Sequence, residues 1–147
     1  MIKKGIKKLI AEAEARSKGI SVEAAKACLG EANTVFVDIR DVRELEREGM
    51  IPGAFHAPRG MLEFWVDPES PYYKPVFTEE KTFILYCQAD WRGVLAAATL
   101  ADMGMQNVLH MAGGYGEWKK AGAPTGPRPV QHGPRPDHQP PREPKKS

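Results

Sequence analysis

Cysteine is scarce in this chain: Cys28 and Cys87 are the only two among 147 residues. A single pair cannot build the disulfide framework of a small secreted domain, and free thiols suit a reducing compartment, so a cytoplasmic location is expected. Long apolar runs are also missing. No stretch is long enough to span a bilayer or to form the apolar region of a secretory signal. Charge of neither sign prevails, since 21 Lys and Arg face 19 Asp and Glu for a net +2. The strong positive field of a nucleic-acid binder is therefore not expected. The four histidines, His56, His110, His132 and His138, lack metal-ligand spacing, so neither a metal nor a cofactor is expected.

What is present is an alternation of strand-like and helix-like segments, in a length that allows one domain with a real core. Helices are expected over 21–29, with Ser21 as N-cap, over 41–48, stopped by Gly49, and over 60–66, 92–103 and 115–121. Strands are expected over 34–38, 54–57, 82–86 and 107–111. This order predicts an α/β fold, a central parallel sheet of about five strands with helices on both faces. Ligands of such sheets bind at the C-terminal strand ends.

Residues 1–19 read as an N-terminal amphipathic helix, with Lys3, Lys4, Lys7 and Lys8 alternating with Ile2, Ile6, Leu9 and Ile10. Docking on the domain, residues 20–125, is its expected role; lying on an anionic membrane surface is the alternative. Residues 126–147 hold seven of the 13 prolines and repeat Gly-Pro-Arg-Pro. They are expected to be a disordered, polyproline-like tail, either idle or a docking arm for a protein partner. Residues 67–81, rich in Pro and aromatics, have no period and read either as a loop bordering the site or as a connector.

The chemistry concentrates at Cys87. The apolar run Phe83-Ile84-Leu85-Tyr86 delivers it to the short turn Gln88-Ala89-Asp90, and an Ala/Leu-rich helix follows. A cysteine at a helix N-terminus faces unpaired N–H groups that stabilise a thiolate, the nucleophilic form, or a bound anion. Four residues separate Cys87 from Arg92. Cysteine-dependent phosphatases carry one residue more, because their loop encloses a tetrahedral phosphate. The shorter loop suits a single sulfur atom held on Cys87 as a persulfide in an anion-binding nest.

Three segments in register resemble the single-domain rhodanese-like family. They are Val37-Asp38-Ile39-Arg40-Asp41 with Gly49-Met50-Ile51-Pro52-Gly53-Ala54, the Cys87–Arg92 loop, and Gly113-Gly114-Tyr115-Gly116-Glu117-Trp118 with Gly122-Ala123-Pro124. The resemblance implies a rhodanese-like fold and a sulfurtransferase. Such an enzyme moves sulfane sulfur from thiosulfate or a persulfide or polysulfide donor to a thiol or cyanide acceptor through a Cys87 persulfide. It implies Cys87 and Arg92 as catalytic residues and a substrate-binding loop of Gln88, Ala89, Asp90, Trp91 and Gly93. Asp38 and Arg40 read on their own as an internal ion pair closing strand and turn, and the resemblance makes them neighbours of the loop, supporting rather than reacting. Arg92 either steers an anionic donor or folds back to brace the loop. The alternatives are a non-catalytic module that carries or senses persulfide and a small cysteine phosphatase or arsenate reductase.

Three positions depart from the family pattern: Asp90 stands where Gly is common, Gly93 where Ser or Thr is common, and Met50 where His is frequent. Pointing inward, the Asp90 carboxylate would oppose a thiolate and repel a dianionic donor. Pointing outward, it would cap the following helix, and the cap is the expected arrangement because an unpaired buried charge is costly. Trp91 would form an apolar rim. Cys28 reads as a small packed hydrophobe, with a resolving role for Cys87 as the alternative.

Overall fold

The computed structural model describes residues 1–77 and 80–129. Five strands form one sheet in the order β1-β5-β4-β2-β3: β1 Lys18–Ile20, β2 Thr34–Asp38, β3 Phe55–His56, β4 Thr82–Tyr86 and β5 Val108–Met111. Every neighbouring pair is parallel. Six helices connect and cover them: α1 Ile6–Arg16, α2 Val22–Ala27, α3 Val42–Glu48, α4 Leu62–Val66, α5 Trp91–Asp102 and α6 Gly114–Lys120.

The central strand explains why both faces are covered. Along β4, Phe83 and Leu85 enter one apolar cluster with Leu62 and Val66 of α4 and Ala96, Ala97 and Leu100 of α5. The alternate residues Ile84 and Tyr86 enter the other, with Ala25 of α2 and Tyr115 and Trp118 of α6. A strand buried on both sides has no polar face, so its residues form an unbroken apolar run. Cys87 extends this run into the first cluster.

The N-terminal helix docks, as expected. Ile10 and Ala13 bury against Val94 and Ala98 of α5, and Arg16 binds Asp102 through two nitrogens at 3.0 and 3.2 Å. The helix ends at Arg16, earlier than the sequence reading placed it, and Lys18–Ile20 forms the sheet edge beside β5. Among the described residues no helix is long and apolar enough to cross a membrane.

Two further sequence expectations are refined. The segment after α4 is a connector: Phe77 is buried in the first cluster, and Asp67, Pro68 and Lys81 gather near Phe83 and Asn107, at the sheet end opposite Cys87. At the start of the expected tail, Gly126 is held by reciprocal backbone hydrogen bonds with Met50, at 2.8 and 2.9 Å, and Arg128 lies 3.6 Å from Glu46. Met50 is itself buried. Residues 130–147 of the proposed tail lie outside the described residues.

The docking of α1 has a measurable consequence. Ile10→Ala removes its buried large apolar side chain and is expected to cost about 2 kcal/mol, seen as a lowered urea midpoint at constant slope. An unchanged midpoint would show that α1 adds nothing to stability.

Candidate active site

Cys87 lies at the C-terminal end of β4, 2% exposed. The carbonyls of its loop are engaged from behind: Tyr115 donates its N–H to the Cys87 carbonyl at 2.8 Å, and Gly116 to the Gln88 carbonyl at 3.0 Å. The amides are not. Among the described residues, the backbone N–H groups of Gln88, Ala89, Asp90, Trp91, Arg92 and Gly93 donate to no backbone carbonyl. These donors lie between Cys87 and the first turn of α5, where unpaired N–H groups carry partial positive charge and suit an anion. Close packing against α6 requires glycine at 114. Its φ is +62°, and a Cβ there would lie 2.2 Å from the Ala89 carbonyl oxygen and 2.5 Å from that of Cys87.

Beneath the loop is the ion pair that the sequence reading placed there. Asp38 and Arg40 are both fully buried, with Arg40 Nη2 at 2.7 Å from Asp38 Oδ2. Arg40 also donates to the Gln88 side-chain oxygen at 2.9 Å and to the Gly49 carbonyl at 2.7 Å. Its guanidinium lies 4.2 Å from the centre of the Tyr115 ring. Burial would favour its neutral form, but the hydrogen bonds to Asp38 hold its pKa above the usual range. Tyr86 accepts the Ile51 N–H at 3.1 Å. Burial pushes its phenol far above the usual range, with the nearby Asp38 charge acting in the same direction, so the group stays neutral.

The Arg92 side chain is partly exposed and lies near the Cys87 sulfur. It makes a two-pronged pair with Glu44 of α3, at 2.9 and 3.0 Å, which joins the start of α5 to the start of α3. Glu44 is fixed in turn by the capping box of α3, accepting the Asp41 N–H at 3.0 Å. Hydrogen bonding to Arg92 holds the Glu44 carboxyl below the usual range. The bond to Glu44 raises the Arg92 pKa, with the nearby Cys87 sulfur contributing in the same direction.

Asp90 departs from expectation. It occupies the N-cap position of α5 but makes no capping hydrogen bond. The reason is its backbone: Ser21 and Asp41 cap their helices with ψ of 159° and 144°, whereas Asp90 has ψ of −43°. Its Oδ1 is buried without a hydrogen-bond partner, 3.7 Å from His110 Nδ1, which is also buried and unpartnered. Gly93 separates His110 from the sulfur, since a Cβ there would lie 3.7 Å from His110 Cβ and 3.9 Å from Cys87 Sγ. Trp91 is half exposed at the rim, in agreement with its sequence reading. Cys28 packs in the other cluster, on the opposite face of the sheet, and burial pushes its thiol up.

Sequence reading thus located the loop and the Asp38–Arg40 pair, and it missed Glu44, Glu48 and His110. Glu48 accepts from the Gln88 amide at 3.2 Å. Glu44 carried a signal, the Asp41-x-x-Glu44 capping-box spacing; His110 carried none. Because the Glu44 carboxyl is depressed in the folded state, its contribution to stability is present above the unfolded-state carboxylate range and is lost as pH falls through its lower folded value. Glu44→Gln is therefore expected to be less stable than the parent at neutral pH, with the gap narrowing in acid. Urea titrations across pH that showed a constant gap would contradict the Arg92 pairing.

Comparison with known proteins agrees with this geometry. Residues 21–121 match the family model described as Rhodanese-like domain. The chain is 26% identical to mouse thiosulfate sulfurtransferase/rhodanese-like domain-containing protein 3, over 69% of this chain and 68% of that one. It is 27% identical to human thiosulfate:glutathione sulfurtransferase, over 67% and 90% of the two chains. Among solved structures it resembles a Rhodopseudomonas palustris protein of unknown function described as a possible tyrosine phosphatase. That match has 48% identity and a TM-score of 0.83, covering 86% of this chain and 97% of the other. With the family model spanning most of its length, an all-parallel five-stranded sheet and a cysteine loop at the strand ends, the chain belongs to the rhodanese-like domain family.

Proposed function

We infer that the protein is a sulfurtransferase in which Cys87 carries sulfane sulfur from a small donor to a thiol or cyanide acceptor. The observation that carries this reading is a buried cysteine at the end of β4 followed by six residues, Gln88–Gly93, whose N–H groups donate to no backbone carbonyl. In the first step the Cys87 thiolate attacks the outer sulfur of a donor such as thiosulfate. The new S–S bond forms as the old one breaks, and sulfite leaves with the bonding electron pair. In the second, cyanide or a thiolate attacks the outer sulfur of the persulfide, and Cys87 departs as thiolate. Each state puts negative charge on sulfur, where the loop dipoles stabilise it. Arg92, paired with Glu44, positions the loop and adds positive potential near the sulfur. Asp38 and Arg40 support the loop through Gln88. A nucleophilic thiol of this kind suits a reducing compartment such as the cytoplasm.

The description of the Rhodopseudomonas palustris relative favours a second reading, cysteine phosphatase chemistry. The loop argues against it, because four residues between Cys87 and Arg92 leave a small ring for a tetrahedral phosphate. Delivery to one dedicated protein partner, engaged through residues 126–147, is the non-catalytic alternative.

Turnover of thiosulfate with cyanide or glutathione tests these readings side by side. Thiocyanate or glutathione persulfide should form with the parent protein and fall to background in Cys87→Ser, with no hydrolysis of an aryl phosphate. Cys87-dependent aryl phosphate hydrolysis without sulfur transfer would overturn the proposal. Sulfur loading with no turnover to free acceptors would favour the dedicated carrier.

A further inference from the structure

Asp90 is the odd residue of the loop. Asp is among the preferred N-cap residues, and a capping Asp accepts the N–H of the second or third helical residue. In α5 those are Arg92 and Gly93, whose N–H groups donate to no backbone carbonyl. A carboxylate that capped α5 would occupy the same N–H groups that a persulfide needs. In the structure it does not cap: its backbone is turned to ψ −43°, and Oδ1 is directed into the protein. There the facing polar group is His110, whose side chain is 10% exposed, with Nδ1 at 3.7 Å. The imidazole has no other polar partner for Nδ1. It is wedged against Gly19 of β1, where an added Cβ would lie 3.1 Å from its Cε1, and its strand position is paired with Leu85 of β4.

We propose that His110 is a positioning residue that holds the Asp90 carboxylate away from the N-cap of α5, keeping the Arg92 and Gly93 N–H groups free for the sulfur on Cys87. This rests on the persulfide reading of the loop and adds a device to it. Among the described residues Asp90 Oδ1 has no hydrogen-bond partner, so without His110 Asp90 relaxes to the extended N-cap backbone that Ser21 and Asp41 already show in this chain. The loop then caps itself and competes with its own substrate.

The test is sulfur loading of Cys87 by thiosulfate and by inorganic polysulfide, read as a one-sulfur gain in intact mass, with thermal melting of each variant. His110→Leu should load about tenfold more slowly than the parent, the scale of an N-cap interaction, without a lower melting temperature. His110→Val, smaller and suited to a strand, should behave alike. The discriminating variants are doubles. Asp90→Ala combined with His110→Leu should load faster than His110→Leu alone, because alanine cannot cap. Asp90→Asn combined with His110→Leu should remain slow, because asparagine caps as well as aspartate does. A parent-like rate in both single His110 variants overturns the inference, as does failure of Asp90→Ala to rescue. A parent protein that takes up no sulfur from either donor overturns the persulfide reading itself.

Discussion

Arg40 is a fully buried cation, and its donors fix the surroundings of the loop. Nε and Nη2 bind Asp38, Nη2 also binds the Gly49 carbonyl at the end of α3, and Nη1 binds Gln88 in the cysteine loop. One guanidinium thus joins the end of β2, the end of α3 and the residue after Cys87. Taking such a pair out of water costs several kcal/mol per ion, recovered only when the geometry is good and the remaining protons are satisfied. Here Asp38, two further acceptors and the Tyr115 ring meet that demand. Removing either charge would leave the other buried and alone beneath the Cys87 loop.

The same arrangement shapes the electrostatics around Cys87. Both arginines near the loop are matched by carboxylates, Arg40 by Asp38 and Arg92 by Glu44. The unpaired positive potential therefore comes largely from backbone N–H groups, which are fixed in place and spread around a small ring. On the sulfurtransferase reading proposed above, the four-residue spacing between Cys87 and Arg92 suits a compact anionic sulfur better than a bulky oxyanion. Packing of Gly114 and Gly116 against the loop carbonyls keeps those N–H groups pointing forward. The downstream glycine motif is thus part of the site, although no residue in it carries chemistry.

Much of this was legible in the sequence, for physical reasons that can be named. The apolar run of β4 and the polar turn after it are local patterns, and they placed Cys87 correctly. Asp38 and Arg40, two residues apart at a strand end, could be paired on spacing alone. β1 escaped because a three-residue edge strand with one neighbour has no period to read. Asp90 was misread because N-cap preference is a local property. Its orientation is set by a backbone angle and by His110, a residue 20 positions on that the tertiary fold brings against it. Glu44 was within reach through the capping box, but its partner Arg92 lies 48 residues away.

The account turns on whether the loop N–H groups hold sulfur. The most direct measurement is a crystal structure of the protein after treatment with thiosulfate, with anomalous scattering to identify sulfur. The prediction is one additional sulfur bonded to Cys87 Sγ and directed into the ring of N–H groups from Gln88 to Gly93, with the Arg92–Glu44 pair intact. A bare Cys87 beneath a tetrahedral anion held by Arg92 freed from Glu44 would contradict it.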